Sequence, residues 1–119
     1  MQRILVVEDE DALREAITEL LDDEGYTPIP ARHGREALAA LEREPIDLIV
    51  MDVMMPIMDG ITTVHRLRQR EALPPPILLM SAGSNRMVAG LDVPLLRKPF
   101  ELEDLLSAVS ALLSASSTD

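Results

Sequence analysis

Unbroken apolar runs alternate along this chain with stretches in which apolar residues return every three or four positions. Ile4-Leu5-Val6-Val7, Leu48-Ile49-Val50-Met51 and Ile77-Leu78-Leu79-Met80 are continuous. Such runs predict strands buried on both faces, because a strand with one wet face alternates instead. Thr27-Pro28-Ile29-Pro30 reads as a further strand, and its two prolines, which lack ladder donors, put it at a sheet edge. A short fifth strand covers 93–97. Leu13, Ile17, Leu20 and Leu21 predict a first helix, capped by Asp11 or an acidic neighbour and stopped by Gly25. A second helix runs from about Gly34 to Glu44 with Ala37, Leu38 and Leu41 inward, and Pro45 ends it. A third, capped by Asp59, uses Ile61, Val64 and Leu67 and reaches about Arg70. Between Ser81 and Gly90 the pattern is polar, so at most a short fourth helix fits around Arg86 to Ala89. The last helix follows Pro99 with Leu102, Leu105, Leu106, Val109, Leu112 and Leu113 facing inward.

Strand and helix alternate five times. That order predicts an α/β fold, a doubly wound parallel sheet with helices on both faces. The strand order 2-1-3-4-5 of flavodoxin-like (βα)5 folds places the proline-bearing second strand at an edge. One domain spans 1–113, and 114–119 reads as a flexible, frayed tail.

Composition narrows the classes. With 119 residues and 47% hydrophobic content a real core is available, and with Tyr26 and Phe100 as the only aromatics it must be aliphatic. The net charge of −10 argues against direct nucleic-acid binding and against anionic membranes. There is no cysteine, which excludes disulfides and thiolate metal sites. No apolar stretch approaches the roughly 20 residues of a membrane span. Met1-Gln2-Arg3 leads straight into a strand, so no signal peptide is visible and the cytoplasm is the expected compartment. His33 and His65 lie far from a metal-binding spacing and receive no site. Met51, Met54, Met55 and Met58 read as packing residues.

The strand ends hold the candidate chemistry. The first ends in Glu8-Asp9, the third in Asp52, the fourth in Ser81 and the fifth in Lys98-Pro99. In a parallel sheet these ends share one edge, where open α/β folds bind ligands. Three carboxylates gathered there repel one another unless a cation intervenes. All-oxygen ligands favour Mg²⁺, with Mn²⁺ the alternative ion. Asp52 would attack phosphorus and form an acyl phosphate, with Lys98, the only lysine, as countercharge and Ser81 as hydroxyl donor. Each residue alone has a plainer reading as a cap, a turn residue or a solvated surface group. Their joint occurrence at four strand ends favours the chemical one.

Ile4-Leu5-Val6-Val7-Glu8-Asp9-Glu10, the run Asp52-Val53-Met54-Met55-Pro56-Ile57-Met58-Asp59-Gly60, Ser81-Ala82 and Lys98-Pro99-Phe100 resemble the receiver domain of two-component response regulators, including stand-alone chemotaxis-type receivers. The resemblance covers essentially the whole chain. It implies that Asp52 is the phospho-acceptor and that Asp9 binds Mg²⁺ directly, with Glu8 acting through water and the Met54 backbone carbonyl as a further ligand. Ser81 and Ala82 would hold the switch position and Lys98 the phosphate, and the Lys98–Pro99 bond would be cis. The donor would be a sensor histidine kinase or a histidine phosphotransfer protein, and the readout an unknown downstream protein. The chain would catalyse only its own phosphorylation and dephosphorylation.

Two departures from that pattern stand out. The position three before the lysine, usually Tyr or Phe, is Leu95, which cannot report a switch by ring rotation. Only 16 residues, 82–97, separate Ser81 from Lys98, which shortens the fourth helix. These motivate an alternative: a receiver-like interaction module that acts independently of phosphorylation. A phosphatase with an aspartyl-phosphate intermediate is disfavoured because Val53 and Met54 leave no second aspartate for acid-base work. A flavin protein is disfavoured because the acidic turn after strand one would repel the flavin phosphate.

Overall fold

The computed structural model describes residues 2–54, 59–70, 74–82 and 93–117. The elements are β1 (Arg3–Val7), α1 (Asp11–Asp23), β2 (Thr27–Ala31), α2 (Gly34–Arg43), β3 (Leu48–Asp52), α3 (Gly60–Arg70), β4 (Ile77–Ser81), β5 (Leu95–Arg97) and α4 (Leu102–Ser117). The strands form one parallel sheet in the order β2-β1-β3-β4-β5. The expected short helix between the fourth and fifth strands lies outside the described residues, so α4 here is the last helix.

Strand parity divides the core into two layers. Leu5 and Val7 of β1, Ile49 and Met51 of β3 and Ile77 and Leu79 of β4 meet Ala37 and Ala40 of α2 and Val64 and Leu67 of α3. Ile4, Val6, Leu48, Val50, Leu78 and Met80 point the other way, onto Ile17 and Leu21 of α1 and Leu105, Val109 and Leu113 of α4. Successive strand side chains take opposite faces, so an unbroken apolar run fills both layers at once. Each fully buried Leu or Ile contributes about 1.5–3 kcal/mol. A surface pair such as Arg3–Glu44, 3.7 Å apart with both side chains more than a third exposed, adds at most about 1 kcal/mol. The aliphatic layers therefore dominate stability.

The outer strand shows why two prolines are tolerated. The Thr27 N–H donates to the Gln2 carbonyl at 2.9 Å, and the Ala31 carbonyl accepts from the Glu8 N–H at 3.0 Å. Odd-numbered residues of β2 thus turn their polar groups toward β1. Pro28 and Pro30 occupy the outward positions, so the open edge has lost the N–H donors that another strand would need. Restoring them with the double substitution Pro28→Val and Pro30→Thr should produce concentration-dependent self-association, read by light scattering, with the monomer fold retained at low concentration.

Local details, those expected and those not, have physical reasons. Glu10, the acidic neighbour before Asp11, holds the N-cap position of α1, but its side chain makes no capping bond. Gly25 has φ 93°, the left-handed turn that ends α1 at low cost. Ala40 rather than Leu38 completes the buried face of α2. Asp59 caps α3 by accepting the Thr62 N–H at 2.7 Å. The fifth strand starts at Leu95, two residues later than expected. Leu102 is 42% exposed, because it sits at the first turn of α4 ahead of the buried stripe that begins at Leu105. Helix α4 runs on to Ser117, past the tail boundary expected at Ser114.

Candidate functional site

The same parity assembles the site. On β3, Asp52 follows Leu48 and Val50 and faces the α1/α4 layer. Glu8 continues the Ile4–Val6 alternation one residue past β1, and Lys98 continues from Leu96 past β5. Three strand ends thus bring two carboxylates and an ammonium to one face of one edge. Carboxylate oxygens of Glu8, Asp9 and Asp52 all lie within 4.8 Å of one another. The Lys98 Nζ donates to Glu8 Oε1 at 3.0 Å and stands 3.5 Å from Asp52 Oδ1. Glu8 and Asp52 are buried, at 1% and 5% exposure, whereas Asp9 is open to solvent. Ser81 is buried at the end of β4, and its backbone carbonyl accepts the Lys98 N–H at 2.9 Å. The Lys98–Pro99 peptide is cis.

Burial pushes the Glu8 carboxyl above its ordinary value; the Glu10 N–H and the Lys98 ammonium oppose the rise, and the Asp52 charge adds to it. Burial likewise raises Asp52, against the pull of Lys98, with Asp9 repulsion adding to it and a Met54 backbone hydrogen bond opposing it. Burial works to lower Lys98, but its bond to Glu8 and the charge of Asp52 outweigh that, so its pKa is raised. One ammonium does not satisfy three carboxylates. The excess negative charge, with oxygen donors only and one open face, fits a hard divalent cation.

Gly60 holds the Asp52-bearing strand end in place. Its N–H donates to the Val53 carbonyl at 2.8 Å. A Cβ there would lie 2.6 Å from the Asp52 carbonyl oxygen and 2.9 Å from the Val53 Cα. Both contacts are backbone, so no side chain can rotate away. Gly60→Ala should cost about 1–3 kcal/mol by overpacking. Urea denaturation would measure that loss.

Other expectations fared differently. Met54, read as a packing residue, is 62% exposed, whereas Met51 is fully buried. Met55 and Met58 lie outside the described residues. Leu95 is half-buried against the α2/α3 layer, paired with Leu79. His33, given no role, is the N-cap of α2: its Nδ1 accepts the Glu36 N–H at 3.3 Å, and Glu36 Oε1 accepts the Arg32 N–H at 2.8 Å. The arrangement is a variant of the capping box, with histidine in place of serine and with the glutamate reaching back to the N–H before the cap. Arg14, three residues after Asp11, pairs with it across the first turn of α1, a spacing that marks a helical ion pair.

Residues 4–110 match the model of the response regulator receiver domain. The chain belongs to this family. Response regulator MprA of Mycolicibacterium vanbaalenii is 40% identical over 98% of the chain. The transcriptional regulatory protein CpxR of Klebsiella pneumoniae is 37% identical, also over 98%. The chain spans about half the length of these curated relatives, 52% and 51%. Among solved structures, the receiver domain of Francisella response regulator 1452 superposes with a TM-score of 0.88 at 28% identity, covering 98% of this chain and 100% of that one. TrrA of Thermotoga maritima, solved in complex with Mg²⁺-BeF, gives 0.84 at 32% identity, covering 94% and 99%. This receiver has the family's flavodoxin-like sheet order, and among its described residues no helix is long and apolar enough to cross a membrane.

Proposed function

We propose that this receiver takes a phosphoryl group onto Asp52 from a phosphohistidine donor and uses the modification to switch protein–protein contacts. The observation behind this reading is the gathering of Glu8, Asp9, Asp52 and Lys98 at one sheet edge. An Asp52 carboxylate oxygen attacks phosphorus in line, the P–N bond breaks, and the donor imidazole leaves. The product on Asp52 is an acyl phosphate. Lys98 would shift from Glu8 and Asp52 to a phosphoryl oxygen, and Ser81 and Ala82, beside it at the end of β4, would hold the switch position. Asp9, Asp52 and the Met54 carbonyl would hold Mg²⁺ or Mn²⁺, with Glu8 acting through water; the ion supplies countercharge to the phosphoryl oxygens.

The donor would be a sensor histidine kinase or a histidine phosphotransfer protein. Apolar groups near the site would offer such a donor a docking surface: Met54 and Leu102 are exposed, and Leu13, Pro99 and Phe100 line a cavity of about 490 Å³ beside Lys98. The chain would catalyse only its own phosphorylation and dephosphorylation, in the cytoplasm. Its readout would be another protein, since the −10 charge opposes direct binding to nucleic acid or anionic membrane. Intact-mass analysis after incubation with acetyl phosphate and Mg²⁺ should show one phosphoryl adduct, mapped to the peptide that contains Asp52. No adduct under conditions that label a control receiver would reject the reading.

One observation favours a second reading. Leu95 packs, half-buried, against the α2/α3 layer and has no ring to rotate, so an interaction module independent of phosphorylation is the alternative. Partner binding that is unchanged by beryllofluoride would select it.

A further inference from the structure

Arg14 lies in the first turns of α1, yet its side chain is only 14% exposed. An arginine on a helix surface is normally a solvated cation. This one folds back over the loop that joins β1 to α1. Its Nη1 donates to the Glu8 carbonyl oxygen at 2.9 Å, and its Nη2 donates to Asp11 Oδ1 at 2.5 Å. The Asp11 bond offsets the positive charge and fixes the fork.

The Glu8 carbonyl belongs to the peptide plane that links Glu8 to Asp9. A peptide group is rigid and planar, so a donor that fixes its oxygen fixes where the next residue starts. The rest of Glu8 is tied down independently. Its N–H donates to the Ala31 carbonyl at 3.0 Å, Oε1 accepts from Lys98 at 3.0 Å, and Oε2 accepts the Glu10 N–H at 3.0 Å. Beyond Ala31, β2 has ended and α2 begins at Gly34, and the guanidinium supplies the donor to this carbonyl. Asp9, the exposed member of the carboxylate cluster, hangs from the plane that Arg14 holds.

We propose that Arg14 is a positioning residue: by fixing the Glu8–Asp9 peptide plane it aims Asp9 and sets the affinity of the acidic cluster for a divalent cation. This rests on the metal-dependent reading given above. Arg14 touches neither the cation nor the phosphoryl group.

The test is urea denaturation of the whole chain in EDTA and across a MgCl₂ series, for wild type, Asp9→Asn, Arg14→Gln and Arg14→Lys. A ligand that binds only the folded state raises stability with its concentration, so the series returns an apparent Mg²⁺ affinity without an activity assay. Wild type should be stabilised by Mg²⁺ and Asp9→Asn should not. Arg14→Gln should need about tenfold more Mg²⁺ for the same stabilisation, the scale found for groups that orient metal ligands. Arg14→Lys, which keeps the charge and one donor but not the fork, should fall between the two and serves if the Gln variant does not fold. Equal stability losses in EDTA and in Mg²⁺, with unchanged Mg²⁺ affinity, would make Arg14 a structural prop and overturn the inference. So would tighter Mg²⁺ binding in Arg14→Gln, because charge repulsion would then outweigh positioning. A wild type that ignores Mg²⁺ would instead sink the metal-dependent reading, and the Arg14 inference with it.

Discussion

Asp52→Asn should abolish phosphoryl uptake and at the same time make the metal-free protein more stable. The amide keeps the shape of the carboxylate but has no nucleophilic anion, so the acetyl phosphate adduct should vanish from the mass spectrum. The stability gain follows from the environment. Asp52 is 5% exposed, and its burial and the nearby Asp9 charge outweigh the attraction of Lys98. Ionised Asp52 is therefore disfavoured in the folded state relative to the unfolded one. Removing that charge should raise stability near neutral pH by an amount on the order of 1 kcal/mol, the usual yield of relieving a functional site. The pH dependence gives an independent check. Glu8 and Asp52 both have folded-state pKa values raised above their ordinary 4.5 and 3.8, so the folded protein binds protons more tightly. Their contribution to stability is fully present below the unfolded values and is lost as pH rises through the raised folded values. Metal-free wild type should thus lose stability from about pH 4 upward through that window, and Asp52→Asn should lose less. A urea midpoint that rises steadily across the window in wild type would contradict the argument.

Lys98→Met should be the most destabilising single change at the site. Its ammonium is the nearest countercharge to Glu8, at 3.0 Å, and lies 3.5 Å from Asp52. Methionine retains the length of the stem and removes the charge. Two buried carboxylates are then left facing each other, and breaking a buried ion pair from one side typically costs about 3–5 kcal/mol. Much of the loss should be recovered on acidification, since Glu8, at 1% exposure, can relieve the strain by taking up a proton. Urea midpoints at pH 5 and pH 8 should therefore differ more in Lys98→Met than in wild type. A pH-independent loss would assign Lys98 a packing role instead. Phosphoryl uptake should also slow, because the phosphoryl oxygens lose their fixed cation.

What the sequence made legible follows from which forces act locally. Continuous apolar runs announced β1, β3 and β4, because burial on both faces leaves a signal that needs no neighbours. The prolines of β2 announced an edge for the same reason. The meeting of Glu8, Asp52 and Lys98 was legible through the shared edge of a parallel sheet, and Asp59 through its capping chemistry. What stayed hidden depends on approach in three dimensions. Nothing in the sequence near Arg14 says that its guanidinium folds back onto the Glu8 carbonyl, since the partner is a backbone atom with no residue identity. The choice of Ala40 over Leu38 as the buried residue of α2 turns on helix rotation, which the small side chain of an alanine barely marks. The exposure of Met54 depends on how the chain leaves β3, and hydrophobicity alone pointed the wrong way. His33 serves as an N-cap through a ring nitrogen, and histidine is absent from the residues usually preferred as caps.

The margins of the sheet shape how this receiver can meet other molecules. One side is finished by Pro28 and Pro30, and the opposite strand is only three residues long. Neither margin offers a run of backbone on which a visiting chain could template itself. Contacts must then be made through side chains on helices and loops, whose fit changes with displacements far smaller than a strand exchange requires. Such contacts would suit the switching proposed above, in which one companion is let go before the next is met.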